Sequence, residues 1–105
     1  MNINPKEMEA AADGASDLLK ALANRHRLMI VCQLIDGERS VGDLAAALEV
    51  RDSTVSQHLA LLRKDGIVDT RRQGQTIFYS IASPSARAIL EVLYREFCGK
   101  RSGRR

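Results

Sequence analysis

Apolar positions recur at helical spacing along most of this chain and switch once to a strand-like run. After a polar start punctuated by Pro5 and Gly14, Leu18, Leu19 and Leu22 line one side of a helix over 15–23. Asn24 opens a second helix, in which Leu28, Val31, Cys32 and Ile35 follow i, i+3, i+4, i+7 spacing until Asp36-Gly37 ends it. Ser40 caps a short third helix with Asp43 at the capping-box position, and Val41, Leu44, Ala45 and Leu48 form its apolar stripe. Residues 49–52 make a tight turn. Asp52 or Ser53 caps a fourth helix that runs to about Lys64, where Asp65-Gly66 stops it. Segments 67–70 and 76–82 are rich in β-branched and aromatic residues and flank the polar 71–75, which predicts a β-hairpin with a basic tip. Ser83 and Pro84 start a fifth helix, with Ala86, Ile89, Leu90, Leu93 and Phe97 on its apolar face. The chain is therefore expected to be mostly α with one hairpin. A polar segment over 1–14 precedes one domain over 15–98, and a basic tail follows over 99–105.

The fourth helix carries the most unusual pattern. On a helical wheel Val55, Leu59 and Leu62 share one face with His58 beside them. Ser53, Gln57, Ala60 and Lys64 lie opposite, and Thr54 and Ser56 flank them. A short helix, a tight turn and a second helix with a polar N-terminal half is the form of a helix–turn–helix. In that arrangement the aliphatic stripe docks the helix on its own domain. Ser53, Thr54, Ser56 and Gln57 are then free to hydrogen-bond base edges and phosphates in a major groove. The hairpin that follows reads as a wing, whose Arg71, Arg72, Gln73 and Gln75 can reach a DNA backbone or minor groove.

Charge supports that direction. Residues 1–50 hold five Lys/Arg and eight Asp/Glu, a net of −3; residues 51–105 hold eleven and five, a net of +6. The basic half contains both the polar helix and the hairpin, and such asymmetry favours a polyanionic partner over an evenly solvated surface. Apolar residues make up 45% of the chain and aromatics 4%, which suits packed helices more than a β-sandwich. No apolar run approaches the ~20 residues of a membrane span. The polar, acidic N-terminus is no secretory signal, so a cytoplasmic protein without membrane contact is expected. In a reducing compartment Cys32 and Cys98, 66 positions apart, are not expected to form a permanent structural disulfide.

The segments LLKALANRHRLMIVCQL, VGDLAAALEVRDSTVSQHLALLRKDGIV and RRQGQTIFYSI resemble the winged-helix ArsR/SmtB transcriptional repressors over roughly residues 15–98. The resemblance implies a winged helix–turn–helix of about five helices plus a two-stranded wing. It implies a homodimer built on the first and fifth helices. Its partner would be a double-stranded DNA operator, an imperfect palindrome, released by an inducer. Metal-sensing members carry cysteines in the third helix or Asp and His along the fifth. Here RSVGDLAAA has no thiol and PSARAILEVLYREFC has neither Asp nor His, so no metal ligands and no cofactor are expected. One thiol in the second helix and one near the end of the fifth instead resembles the BigR/SqrR-type redox- and persulfide-sensing branch. That likeness implies a reactive sulfur species or oxidant as inducer, linking Cys32 and Cys98 through a disulfide or polysulfide. Arg95, Lys100 and Arg101 favour a thiolate at Cys98, the helix C-terminus opposes it, and Cys32 among aliphatics should be the less acidic thiol.

Three other readings stay open at this level. The cysteines are small buried hydrophobes in many proteins, and the repressor then answers to a metal or another ligand. An enzyme is disfavoured, because no nucleophile–base–orienter set and no phosphate-binding glycine loop is visible. A winged-helix module that binds only proteins would lack the steep salt dependence of a DNA binder.

Overall fold

The computed structural model describes residues 1–99, and most of the basic tail lies outside them. The element order is α1 (Pro5–Leu22), α2 (Arg25–Gln33), β1 (Arg39–Ser40), α3 (Val41–Leu48), α4 (Asp52–Lys64), β2 (Val68–Gln73), β3 (Thr76–Ile81) and α5 (Pro84–Tyr94). A π-helical turn over Arg95–Gly99 follows. No helix among the described residues is long and apolar enough to cross a membrane.

Local chemistry sets most boundaries. Asn4 Oδ1 accepts from the backbone N–H of Lys6 at 2.9 Å and of Glu7 at 3.4 Å, so α1 begins at Pro5. Gly14 does not interrupt it. A glycine in mid-helix costs roughly 1 kcal/mol against alanine, and propagation along 18 residues absorbs that. Asn24 caps α2 through the Arg27 N–H at 3.1 Å. The expected capping box of α3 is present: Asp43 N–H donates to Ser40 Oγ at 3.1 Å, and Ser40 N–H donates to Asp43 Oδ2 at 3.3 Å. Ser83 Oγ accepts from Ala86 N–H at 3.0 Å and starts α5. Helix α4 departs from expectation. Its cap residue is Arg51, with no side-chain cap bond, so neither Asp52 nor Ser53 serves that role.

The core sits where α2, α3, α4 and α5 meet. Ile30, Val31, Leu34, Leu44, Val55, Leu59, Leu62, Ala86 and Leu90 are each at most 1% exposed, and no polar or charged residue is buried among the described residues. Only Ala21 and Leu22 of α1 join them as buried residues; Leu19, expected beside Leu18 and Leu22, is 55% exposed and points away. Phe97 was expected on the buried face of α5 and is 80% exposed instead. The wider π turn shifts its side chain off the α5 stripe, past the last residue the core reaches.

The hairpin is longer and better anchored than its composition suggested. Strands β2 and β3 pair antiparallel from Val68↔Ile81 to Gln73↔Thr76, leaving only Gly74 and Gln75 as the loop. Gly74 has φ 63°, the positive value that a tight two-residue hairpin loop needs. Arg71 and Arg72 therefore lie within a strand rather than at the tip. A third strand, absent from the sequence reading, completes the sheet in the order β1-β3-β2, with Arg39↔Tyr79 and Ser40↔Phe78. Two residues without a period-2 pattern give no strand signal of their own, and the exposed edge of β3 recruits them.

Leu59→Ala is expected to destabilise the fold by about 2–5 kcal/mol, because a fully buried side chain leaves a cavity. The urea unfolding midpoint measures this, and a shift corresponding to under ~1 kcal/mol would place Leu59 outside the rigid core.

Candidate nucleic-acid interface and thiol pair

Helix α4 separates two functions by face. Val55, Leu59 and Leu62 are completely buried, while Ser53, Ser56 and Gln57 are exposed and Thr54 is half-buried. The four polar residues thus sit together on the first two turns, on the surface side of a helix locked from beneath. Asp52 is the one acidic residue of the first turn, and Arg63 and Lys64 close the last turn, where cations suit the helix dipole. The uncapped start leaves first-turn N–H groups without a side-chain partner, which suits an anionic ligand there.

Beneath α4, His58 stacks on His26 at 5.5 Å between ring centres, with the planes tilted by 37°. Burial, then the nearby His26 and Arg27, pushes the His58 imidazole below its usual range. It is thus neutral at neutral pH. The unfolded chain binds this proton first on acidification, so His58 lowers stability as pH falls through about 6.5. His58 Nδ1 and Arg27 Nε are buried without a hydrogen-bond partner. The stack was not legible in the sequence, since the two histidines lie on different helices.

In the wing, Arg71, Arg72, Gln73 and Gln75 are all exposed. Arg71 is held within the protein. Its Nε donates to both carboxylate oxygens of Glu38 at 3.2 Å, and its Nη2 donates to Glu38 Oε1. Its Nη1 donates to Gln73 Oε1 at 3.0 Å, and its guanidinium carbon lies 5.1 Å from the centre of the Phe78 ring. The Arg71 guanidinium beside Glu38 holds that carboxyl below the usual carboxylate range. Sequence reasoning missed Glu38, which lies 33 positions from Arg71.

Both cysteines are free thiols; Cys32 is half-buried against the core and Cys98 is exposed in the π turn. Burial pushes the Cys32 thiol up, and negative charge on Cys98 pushes it further. Helix α2 packs against α5, the helix that leads into the π turn carrying Cys98. The two thiols, 66 positions apart in sequence, thus stand on α2 and in the turn beyond α5. Among the described residues no three His, Cys, Asp or Glu side chains come together to hold a metal ion.

Comparison with known proteins agrees with this geometry. Residues 24–70 match the arsR family of bacterial regulatory proteins. The chain is 49% identical to the transcriptional activator HlyU of Vibrio cholerae, over 91% of this chain and 89% of that one. A structure of reduced HlyU superimposes with a TM-score of 0.84 over 89% and 98% of the two chains. The biofilm growth-associated repressor of Agrobacterium fabrum is 50% identical over 87% of this chain and 78% of its own. The crystal structure of the repressor BigR from Xylella fastidiosa, 40% identical, has a TM-score of 0.85 and covers 93% of this chain and 100% of that one. With the polar face of α4, the winged hairpin and these relatives in agreement, the chain belongs to the ArsR/SmtB family of winged helix–turn–helix transcriptional regulators.

Proposed function

We propose that this protein is a homodimeric, DNA-binding transcriptional repressor whose hold on a palindromic operator is released when reactive sulfur links Cys32 to Cys98. The observation that supports the regulatory half is the placement of the two free thiols, Cys32 half-buried on α2 and Cys98 exposed in the π turn that extends α5, the helix packed against α2.

Ser53, Thr54, Ser56 and Gln57 read base edges from α4, and Arg72, Gln73 and Gln75 of the wing touch the backbone or minor groove. Homodimerisation follows from apolar surface that the chain does not cover itself. Met8 and Leu19 on α1, Val92 and Tyr94 on α5, and Phe97 just beyond are each 45% exposed or more. A twofold pair of such faces places two reading helices at a set spacing, which a palindrome mirrors. Relatives named as an activator and as repressors share this frame. Repression is the simpler output of a protein that occupies promoter DNA and lets go.

The switch chemistry needs a persulfide donor, RS–SH, such as a low-molecular-weight thiol persulfide in the cytoplasm. The Cys98 thiolate attacks the outer sulfur, expels RS⁻ and forms a Cys98 persulfide. The Cys32 thiolate then attacks Cys98 Sγ, an S–Cys32 bond forms, and HS⁻ leaves. Two thiols are oxidised and one sulfane sulfur is reduced to sulfide; further sulfane sulfur gives a longer bridge. Exposed Cys98 meets the donor first, and buried Cys32 closes the bridge. Tying α2 to the far end of the π turn strains the α5 side of the dimer, and a small rotation there is costly for half-site spacing.

Gln57→Ala should lower operator affinity by about tenfold, or ~1.4 kcal/mol, with unrelated DNA hardly affected. Fluorescence anisotropy against both duplexes checks it, and equal losses on both would remove Gln57 from base reading. Leu19→Asp combined with Tyr94→Asp should shift the protein from dimer to monomer in light scattering; an unchanged mass would put the interface elsewhere. Cys98→Ser should bind operator DNA but keep it after glutathione persulfide. Its Cys32 thiol should also titrate lower than in the parent, since one of the two influences raising it is gone while burial remains. The pH profile of Cys32 alkylation, followed by mass spectrometry, reads that shift. Normal release of DNA by the Cys98→Ser variant would end the sulfur-switch reading.

A further inference from the structure

The two wing arginines adjoin in sequence and part in structure. Successive residues of a strand face opposite sides of the sheet. Arg71 stands across from Phe78 and turns towards Glu38, whereas Arg72 stands across from Ile77 on the other face. Nε, Nη1 and Nη2 of Arg71 all donate to protein oxygens, to Glu38 and Gln73. The ion pairs among the described residues join Arg71 to Glu38 and Arg87 to Glu91, and Arg72 takes part in neither.

The place of Glu38 gives this contact its meaning. Glu38 directly precedes β1, which pairs with β3, and β1 runs straight into α3, the first helix of the helix–turn–helix. The fork of hydrogen bonds from Arg71 therefore ties the wing hairpin to the base of that unit. A guanidinium fork on a carboxylate fixes direction as well as distance, and the Phe78 ring beneath it removes one more freedom. Drawing Arg71 onto a phosphate would leave Glu38 as an unpaired carboxylate beside the same polyanion, an arrangement that opposes binding.

We infer that Arg71 is a positioning residue, locked by Glu38 and Phe78 to set the wing's angle against α3 and α4, and that Arg72 alone carries the wing's charge to the DNA backbone. This revises the expectation from sequence that both arginines contact DNA. It rests on the DNA-binding reading above.

The test compares Arg72→Gln, Arg71→Gln, Glu38→Gln and the double variant Arg71→Gln/Glu38→Gln. Each binds an operator duplex selected from a randomised pool and an unrelated duplex, over a range of salt. Arg71 and Arg72 are exposed and Glu38 is half-buried, and a thermal melt of each variant confirms that the fold is retained. Arg72→Gln should reduce the steepness of log K against log salt by about 0.9 on both duplexes, the value of one lost phosphate contact. Arg71→Gln and Glu38→Gln should leave the slope unchanged and each lose about two- to fivefold of operator affinity, the scale of one exposed ion pair. The double variant should lose no more than either single one. The swapped pair Glu38→Arg/Arg71→Glu should regain affinity, which a loss of mere bulk would not allow. A slope flattened by Arg71→Gln, or tighter binding by Glu38→Gln, would overturn the inference while the DNA-binding reading stands. Salt-independent or absent binding by the unaltered chain would sink both.

Discussion

Helix α4 can offer a polar face to a partner only because its other face is taken out of water completely. Val55, Leu59 and Leu62 are each 0% exposed. Full burial of such side chains contributes roughly 1.5–3 kcal/mol apiece, far more than any hydrogen bond on the opposite side. The clamp spares Ser53, Thr54, Ser56 and Gln57 from any structural duty. Their hydroxyl and amide groups need no partner inside the protein, and the helix need not shift for them to meet one outside. Every other element serves that clamp: α2, α3 and α5 supply the aliphatic bed, and Ile67 and Val68 carry it into the wing.

The wing obeys a different physics. It has little core of its own, and most of its residues are exposed. Its placement depends on the β1–β3 pairing and on polar and cation–π contacts at its surface rather than on burial. Such contacts are weak as sources of stability but strict in geometry. The molecule thus separates a polar-faced helix fixed by packing from a wing aimed by hydrogen bonds, and a change of charge can alter the second without unfolding the first.

The two thiols stand in different surroundings. Cys32 touches the core that holds α4, and Cys98 lies beyond α5, at the edge of the exposed apolar surface. A burial-raised Cys32 keeps the reduced state quiet, because a thiol that resists ionisation neither attacks nor coordinates readily.

Local pattern was enough for the presence of five helices, the caps at Asn24, Ser40 and Ser83, the hairpin and the polar face of α4. Each depends on spacing within one segment: Leu44 with Leu48, Ser40 with Asp43, Val55 with Leu59 and Leu62. Where the reading erred, longer-range chemistry decided. Gly14 yielded to a cooperative helix, and β1 formed because β3 offered it an edge. Phe97 left its apolar stripe where the last turn widened into a π turn. Sequence alone could not join Arg71 to Glu38 or His26 to His58, because an interaction between distant residues has no period to reveal it. Those pairings exist only once the core has folded the chain back on itself.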